Sequence, residues 1–250
     1  MIIGAAFCPS APVLVPQLGG LAATELSELR SAVTAALREL LARRPARLLL
    51  VGSANAGSPS RLHSPVDWGT FAGFGVPRRV ALGNPGCGGE PSLPMSLCVG
   101  AELLNAVAGE RSGAFGLSVG AGHRGSAAAL EVARLVEEHS VGLLVLADGS
   151  ARRATTSPGY FDERAIPYDD SVASALGSGR PDELARLDLE LGDALLADGG
   201  PALVAAADLM TGDFRAELRY RDAPYGVQYC VASWVAVGVE SGVTAGVAGA

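Results

Sequence analysis

AFGLSVGAGHRGSAAALEVARLVEEHSVGLLVLADGS, residues 114–150, decides the fold. Six residues at 114–119 are almost wholly apolar, the stretch from about Ser126 to Glu138 spaces its apolar residues as a helix does, and 141–147 is apolar throughout. The order is strand, helix, strand, the pattern of two parallel strands joined by a crossover helix. Neither strand alternates apolar with polar residues, so both are expected to be covered on two faces.

Outward from this unit the same grammar repeats. RLLLVGS at 47–53 reads as a further central strand, and the apolar run at 2–7 as a buried first strand. Between them, Leu21 to Arg44 carries Leu26, Leu29, Val33, Leu37 and Leu40 along one helical face, and Pro45 ends it. VPRRVAL at 76–82 is expected to be a more exposed strand and Leu93 to Val107 a second helix. Helical segments at 169–176, 182–197 and 201–210 precede two antiparallel strands, 216–221 and 225–238. The fold class that follows is α/β, a three-layer sandwich: a mixed, mostly parallel central sheet with helices on both faces and a C-terminal antiparallel strand pair. Residues 1–240 are expected to form a single domain, with 241–250 a flexible small-residue tail.

Composition narrows the function classes. The chain has 250 residues, 49% apolar and 18% charged, enough for one substantial core. Aromatics are only 5% while glycines number 33, so the core is expected to be built from small aliphatic residues at close approach. A net charge of -7 argues against nucleic acid as a partner, because phosphate-backbone binding needs clustered Lys and Arg. No run approaches the roughly 18 to 20 apolar residues that span a bilayer, so no membrane association is expected. MIIGAAFCPSAP has no basic leader, and a cytoplasmic location is expected. Cys8, Cys87, Cys98 and Cys230 form no C-x-x-C pair and read as plain buried thiols. A second copy of the chain stays open as a partner.

Ligands of such sheets lie outside the carboxyl ends of the parallel strands, which selects the loops at 8–16, 53–68 and 148–160. Gly120-Ala121-Gly122-His123-Arg124-Gly125 spells the dinucleotide fingerprint between a strand and a helix, with Asp148 at the end of the next strand. In a chain this rich in glycine, three glycines at fixed spacing recur by chance about once in two such chains, and no second nucleotide-binding half follows. His123 at the helix start is read as a surface or cap residue. The segment LADGSARRATTSPGYFDERAIPYDD, 146–170, is more suggestive: Asp148, Ser150, Arg152 and Arg153 leave a strand end together. Asp148 orienting Arg152 or Arg153 would make a clamp for a small anionic molecule; the alternative is an ion pair that staples the loop. Ser150 is in no nucleophile elbow. In 54–75, Trp68, Phe71 and Phe74 read either as core cover or as a contact surface.

The 147–162 segment, A-D-G-S-A-R-R followed by S-P-G-Y-F-D, resembles the class III extradiol ring-cleavage dioxygenase B-subunit family. C-P-S-A-P-V-L-V-P at 8–16 and D-A-P-Y-G-V at 222–227 resemble further blocks of an actinobacterial branch of that family. The resemblance implies a site at which two histidines and a glutamate hold Fe(II) and another histidine acts as acid/base. Here those positions carry Ser10, Asn55 or Ala56, Gln228 and Ala151. Neutral side chains of these kinds do not hold divalent iron, so no metal and no cofactor is expected. The implied reading is a dioxygenase-like protein without ring cleavage, with Ser10, Asn55, Asp148, Ser150, Arg152, Arg153 and Tyr225 lining the inherited cleft. Whether any catalysis remains is open at this point: the competing classes are a noncatalytic scaffold or subunit, and an active oxidoreductase through iron or a dinucleotide. His63, in a site loop, makes no triad by itself.

Overall fold

The computed structural model describes residues 1–20, 22–84, 89–108 and 113–238. Cys87 and the tail 241–250 lie outside them. Nine strands are described: β1 Ile2–Cys8, β2 Arg47–Ser53, β3 Arg61–His63, β4 Trp68–Thr70, β5 Arg79–Ala81, β6 Phe115–Val119, β7 Val141–Leu146, β8 Phe214–Asp222 and β9 Tyr229–Ala236. The helices are α1 Pro16–Gly19, α2 Ala22–Glu25, α3 Ser27–Ala42, α4 Met95–Ala108, α5 Ala127–Glu138, α6 Ala165–Ser178, α7 Pro181–Leu184, α8 Leu189–Ala194 and α9 Gly200–Leu209.

Seven strands form one mixed sheet in the order β3-β6-β2-β7-β1-β9-β8. The central four, β6, β2, β7 and β1, are mutually parallel, and β3, β9 and β8 join antiparallel at the edges. The fold is thus α/β, with the C-terminal strand pair as the sequence implies. Every residue of β1 and β7 is buried, because helices cover both faces. One apolar layer holds Ala128 and Val132 of α5, Val172 and Leu176 of α6 and Leu203 of α9. The opposite layer holds Leu29, Val33 and Leu37 of α3 and Leu97 and Leu104 of α4. Small residues set the spacing: a methyl group at Gly100 of α4 would lie 2.8 Å from Leu146, tighter than carbon atoms pack. The few aromatics cluster, Phe7 meeting Trp234 edge-on at 5.0 Å while the indole donates to the Leu176 carbonyl at 2.7 Å.

The connections decide where a site can form. The chain moves from β1 to β2 and from β2 to β6 through α3 and α4 on one face, then returns from β6 to β7 through α5 on the other. Reversal of direction with reversal of face keeps each crossover right-handed. Loops leaving β2 and β6 therefore diverge to opposite faces, as do those leaving β7 and β1, and each divergence opens a crevice.

Four local expectations need correction. The helix expected from Leu21 to Arg44 is interrupted at Leu26, whose φ of -96° and ψ of 19° are not helical, so α3 begins at Ser27. The 76–82 strand is shorter, and it pairs with β4 in a separate two-stranded ribbon. The helix expected over 182–197 is two short ones, because the Asp188 carboxylate caps α8 by accepting from the Leu191 amide at 2.9 Å. β3 is a sheet strand where only a loop is expected. Of the three loop aromatics, Trp68 and Phe71 are buried and Phe74 is exposed.

Candidate functional site

Two crevices lie at the carboxyl end of the sheet, and the sequence points to the closed one. Ser10, just past β1, donates from its amide to Asp148 Oδ1 at 3.0 Å and from its hydroxyl to Oδ2 at 2.9 Å. Asp148 follows β7, so this pair laces the β1/β7 crevice shut. Burial raises the Asp148 carboxyl to about 6, against the lowering effect of the Ser10 donors, and the nearby Asp198 raises it further.

The expected contact of Asp148 with Arg152 or Arg153 is not formed. Arg153 instead meets Asp169 of α6 at 3.3 Å, and that fully buried carboxylate also accepts from the Ser150 amide at 2.8 Å and the Ser150 hydroxyl at 2.6 Å. Arg152 has its Nε buried without a partner. The cluster staples the segment after β7 to α6 and engages the Arg153 guanidinium. Gln228, at the glutamate position of the resembled site, is tied as firmly: its side-chain amide donates to the carbonyls of Asp222 at 3.1 Å and Tyr229 at 3.0 Å. The Tyr225 side chain turns to α2, its hydroxyl donating to Glu25 at 2.7 Å.

The open crevice is at β2/β6. It is a cleft of about 700 Å³ between the loop after β2, the loop after β6, and the α8–α9 segment. Of the seven residues expected to line a cleft, only Asn55 lines this one. Its walls are otherwise small and apolar, such as Ala54, Val119 and Val204, with His123, Arg124, Asp193, Asp198 and Asp208 as charged or ionisable groups. The Ser53 hydroxyl donates to the Asp198 carbonyl and ties the end of β2 to the turn before α9. Arg124 holds Asp208 of α9 through two bonds, 2.8 and 2.9 Å, bridging the mouth. Asp198 is raised above the usual carboxylate range by burial and by Asp193. With Arg124 already paired, the cleft presents a surplus of acceptors and negative charge.

The fingerprint glycines serve packing. A methyl group at Gly120 would overlap the Ser58 carbonyl, and Gly122 and Gly125 have φ of 66° and 79°, which the turn requires. Ser126, not His123, caps α5 by accepting from the Ala129 amide at 3.2 Å. His63 is buried in β3 and contacts the Ser118 hydroxyl at 3.0 Å; burial lowers its pKa to about 4. Cys8, Cys98 and Cys230 are buried free thiols, and burial raises them to about 12, 12 and 11. The cleft carboxylates escape a reading of the sequence because they match no motif: Asp193 and Asp208 sit in helices otherwise read as packing elements, and Asp198 in the turn between them. Among the described residues, no group of three or more His, Cys, Asp or Glu side chains is placed to hold a metal ion. Among the same residues, no helix is long and apolar enough to cross a membrane.

No family model matches the chain, and no curated protein matches it. Among solved structures, the chain is similar to the crystal structure of an uncharacterized protein from Escherichia coli, with a TM-score of 0.47 and 12% identity over 93% of this chain and 99% of that one.

Proposed function

We propose that the chain is a cytoplasmic, metal-free member of the extradiol-dioxygenase-like fold that binds a small, hydrogen-donor-rich molecule, an amine or amino alcohol, in the β2/β6 cleft. The observation that carries this reading is the cleft itself, about 700 Å³ at a point where loops diverge, with Asp193 and Asp198 uncompensated on one wall. Such a volume is of the size small-molecule sites have. The resemblance to ring-cleaving enzymes supports the fold; the occupied state of Ser10 and Gln228 supports the loss of iron. The ligand class departs from the anion expected at Arg152 and Arg153, because neither guanidinium lines the cleft.

The test compares ethanolamine with glycolate, close in size (four and five heavy atoms) and opposite in charge, by calorimetry at millimolar concentration. A four-heavy-atom probe is capped at roughly -6 kcal/mol, so its Kd is at best on the order of tens of micromolar. Binding of ethanolamine that is lost in an Ala121→Trp variant, whose indole fills the cleft from an exposed position, is the expected result. Preference for glycolate would overturn the ligand class. Near-stoichiometric iron, retained after anaerobic Fe(II) incubation and desalting, would overturn the metal-free assignment.

A noncatalytic subunit is the second reading, favoured by one observation. Tyr160 and Phe161 are 77% and 51% exposed, beside the exposed Leu196, and Tyr160 holds a left-handed φ of 60°. A mass by sedimentation that exceeds the monomer, and returns to it in Tyr160→Ser, would favour that reading.

A further inference from the structure

His123 borders the cleft, and a neighbouring hydroxyl holds one of its ring nitrogens. Its Nδ1 lies 3.1 Å from the Ser60 hydroxyl. That same oxygen accepts from the Gly120 amide at 2.9 Å and donates toward the Gly120 carbonyl at 3.5 Å. A hydroxyl has one hydrogen; with that hydrogen on the Gly120 carbonyl, His123 carries its proton on Nδ1 and donates it. Nε2 is then a bare lone pair, the ring's hydrogen bond among the described residues being the one at Nδ1. Both flanks of the ring are held. The left-handed Gly122 and Gly125 bracket the His123-Arg124 turn, and Arg124 is anchored on Asp208 across the mouth.

We infer that His123 is the neutral acceptor through which this cleft contacts its ligand, with Ser60 as the positioning residue that sets the ring's tautomer. The inference rests on the reading that the cleft binds a donor-rich small molecule, and it names the group that reads the donor. Its logic is complementarity: Nε2 accepts a hydrogen from a hydroxyl or amine while Asp193 and Asp198 take the rest of the donors or the positive charge. Arg124 and Asp208 are the charges facing the ring from its own loop and from α9, and they neutralise each other. Burial lowers the His123 pKa, ahead of the opposing effects of Asp208 and Arg124, so the ring is neutral at pH 7.5.

His63 supplies an internal control. With the Ser118 hydroxyl donating to the Arg61 carbonyl at 3.3 Å, His63 donates from Nε2, and its Nδ1 has no partner. Long-range proton–nitrogen NMR of the ¹⁵N-labelled full chain at pH 7.5 is therefore expected to show opposite tautomers, Nδ1–H for His123 and Nε2–H for His63. His123→Phe identifies the resonances. An Nε2–H pattern for His123 would overturn the inference outright. Ethanolamine is then titrated: the His123 Nε2 resonance is expected to move with the amides of Ala54 and Ala121, and the probe to bind about tenfold more weakly to His123→Phe, the loss of one good hydrogen bond. Movement of those amides with a still His123 would overturn the histidine's role and leave the cleft reading standing. If no cleft amide moves, the cleft reading falls and this inference falls with it.

Discussion

Asp169 carries more structure than any residue of the motif that draws attention to it. Its carboxylate is fully buried and holds three donors, the Ser150 amide, the Ser150 hydroxyl and Arg153. Replacing it with Ala leaves a half-buried guanidinium and two buried Ser150 donors without partners, which costs about 3–5 kcal/mol. Asp169→Asn keeps an acceptor and is expected to lose less than half of that, both read as urea midpoints at pH 7. An Ala variant within 1 kcal/mol of wild type would mean that the cluster is a ligand site poorly filled in the free protein rather than a staple. The sequence points to 148–153 correctly as a place where charges gather. It does not pair them, because the partner of Arg153 lies 16 residues on, upon a helix whose rotation against the sheet no spacing rule specifies.

At the scale of elements, Gly120 is what joins the two walls of the cleft. The loop after β2 crosses the end of β6 so closely that Pro59 and Ala121 form an isolated bridge and the Ala54 amide reaches the Val119 carbonyl at 2.9 Å. Gly120→Ala sets a methyl group against the backbone of Ser58 and Pro59, which cannot rotate away, so the loops must part. We expect a loss of about 2–3 kcal/mol with weakened ethanolamine binding. Gly122→Ala meets open space and pays only for its φ, about 1 kcal/mol. Equal losses would sink the packing account. Long periodic elements such as α5 and β7 are legible from residue spacing alone. The three-residue β3 is not, since its burial is conferred by β6 rather than by its own pattern, and neither is the interruption at Leu26, where a buried leucine continues the helical face while the backbone leaves it. The cleft is illegible for a related reason: its acidic wall comes from α8, α9 and the turn between them, and α9 meets β2 and β6 only through tertiary packing.

Across the whole molecule, two buried groups make stability respond to acid in opposite directions. His63 at the sheet edge has its pKa lowered from 6.5 to about 4, so between those values the unfolded chain takes up a proton that the folded ring refuses. Its contribution is complete above pH 6.5 and is lost as pH falls toward 4. Asp148 at the sheet centre has its pKa raised from 3.8 to about 6, so over much of the same window the folded state holds a proton that the unfolded chain has released. Its contribution is complete below about pH 4 and is lost as pH rises through 6. Each shift corresponds to on the order of 1–3 kcal/mol at most, so the two largely offset one another. His123 acts in the same sense as His63, and Asp169 and Asp198 in the same sense as Asp148. The wild-type urea midpoint is therefore expected to change little between pH 6.5 and 4.5. Asp148→Asn, which keeps an acceptor for Ser10, removes the compensating titration and is expected to lose stability steeply on acidification, while His63→Gln, which keeps a donor for Ser118, gains it. Parallel curves for wild type and Asp148→Asn would mean that the carboxyl closing the β1/β7 crevice titrates as an ordinary solvated aspartate, and that this crevice, too, admits water.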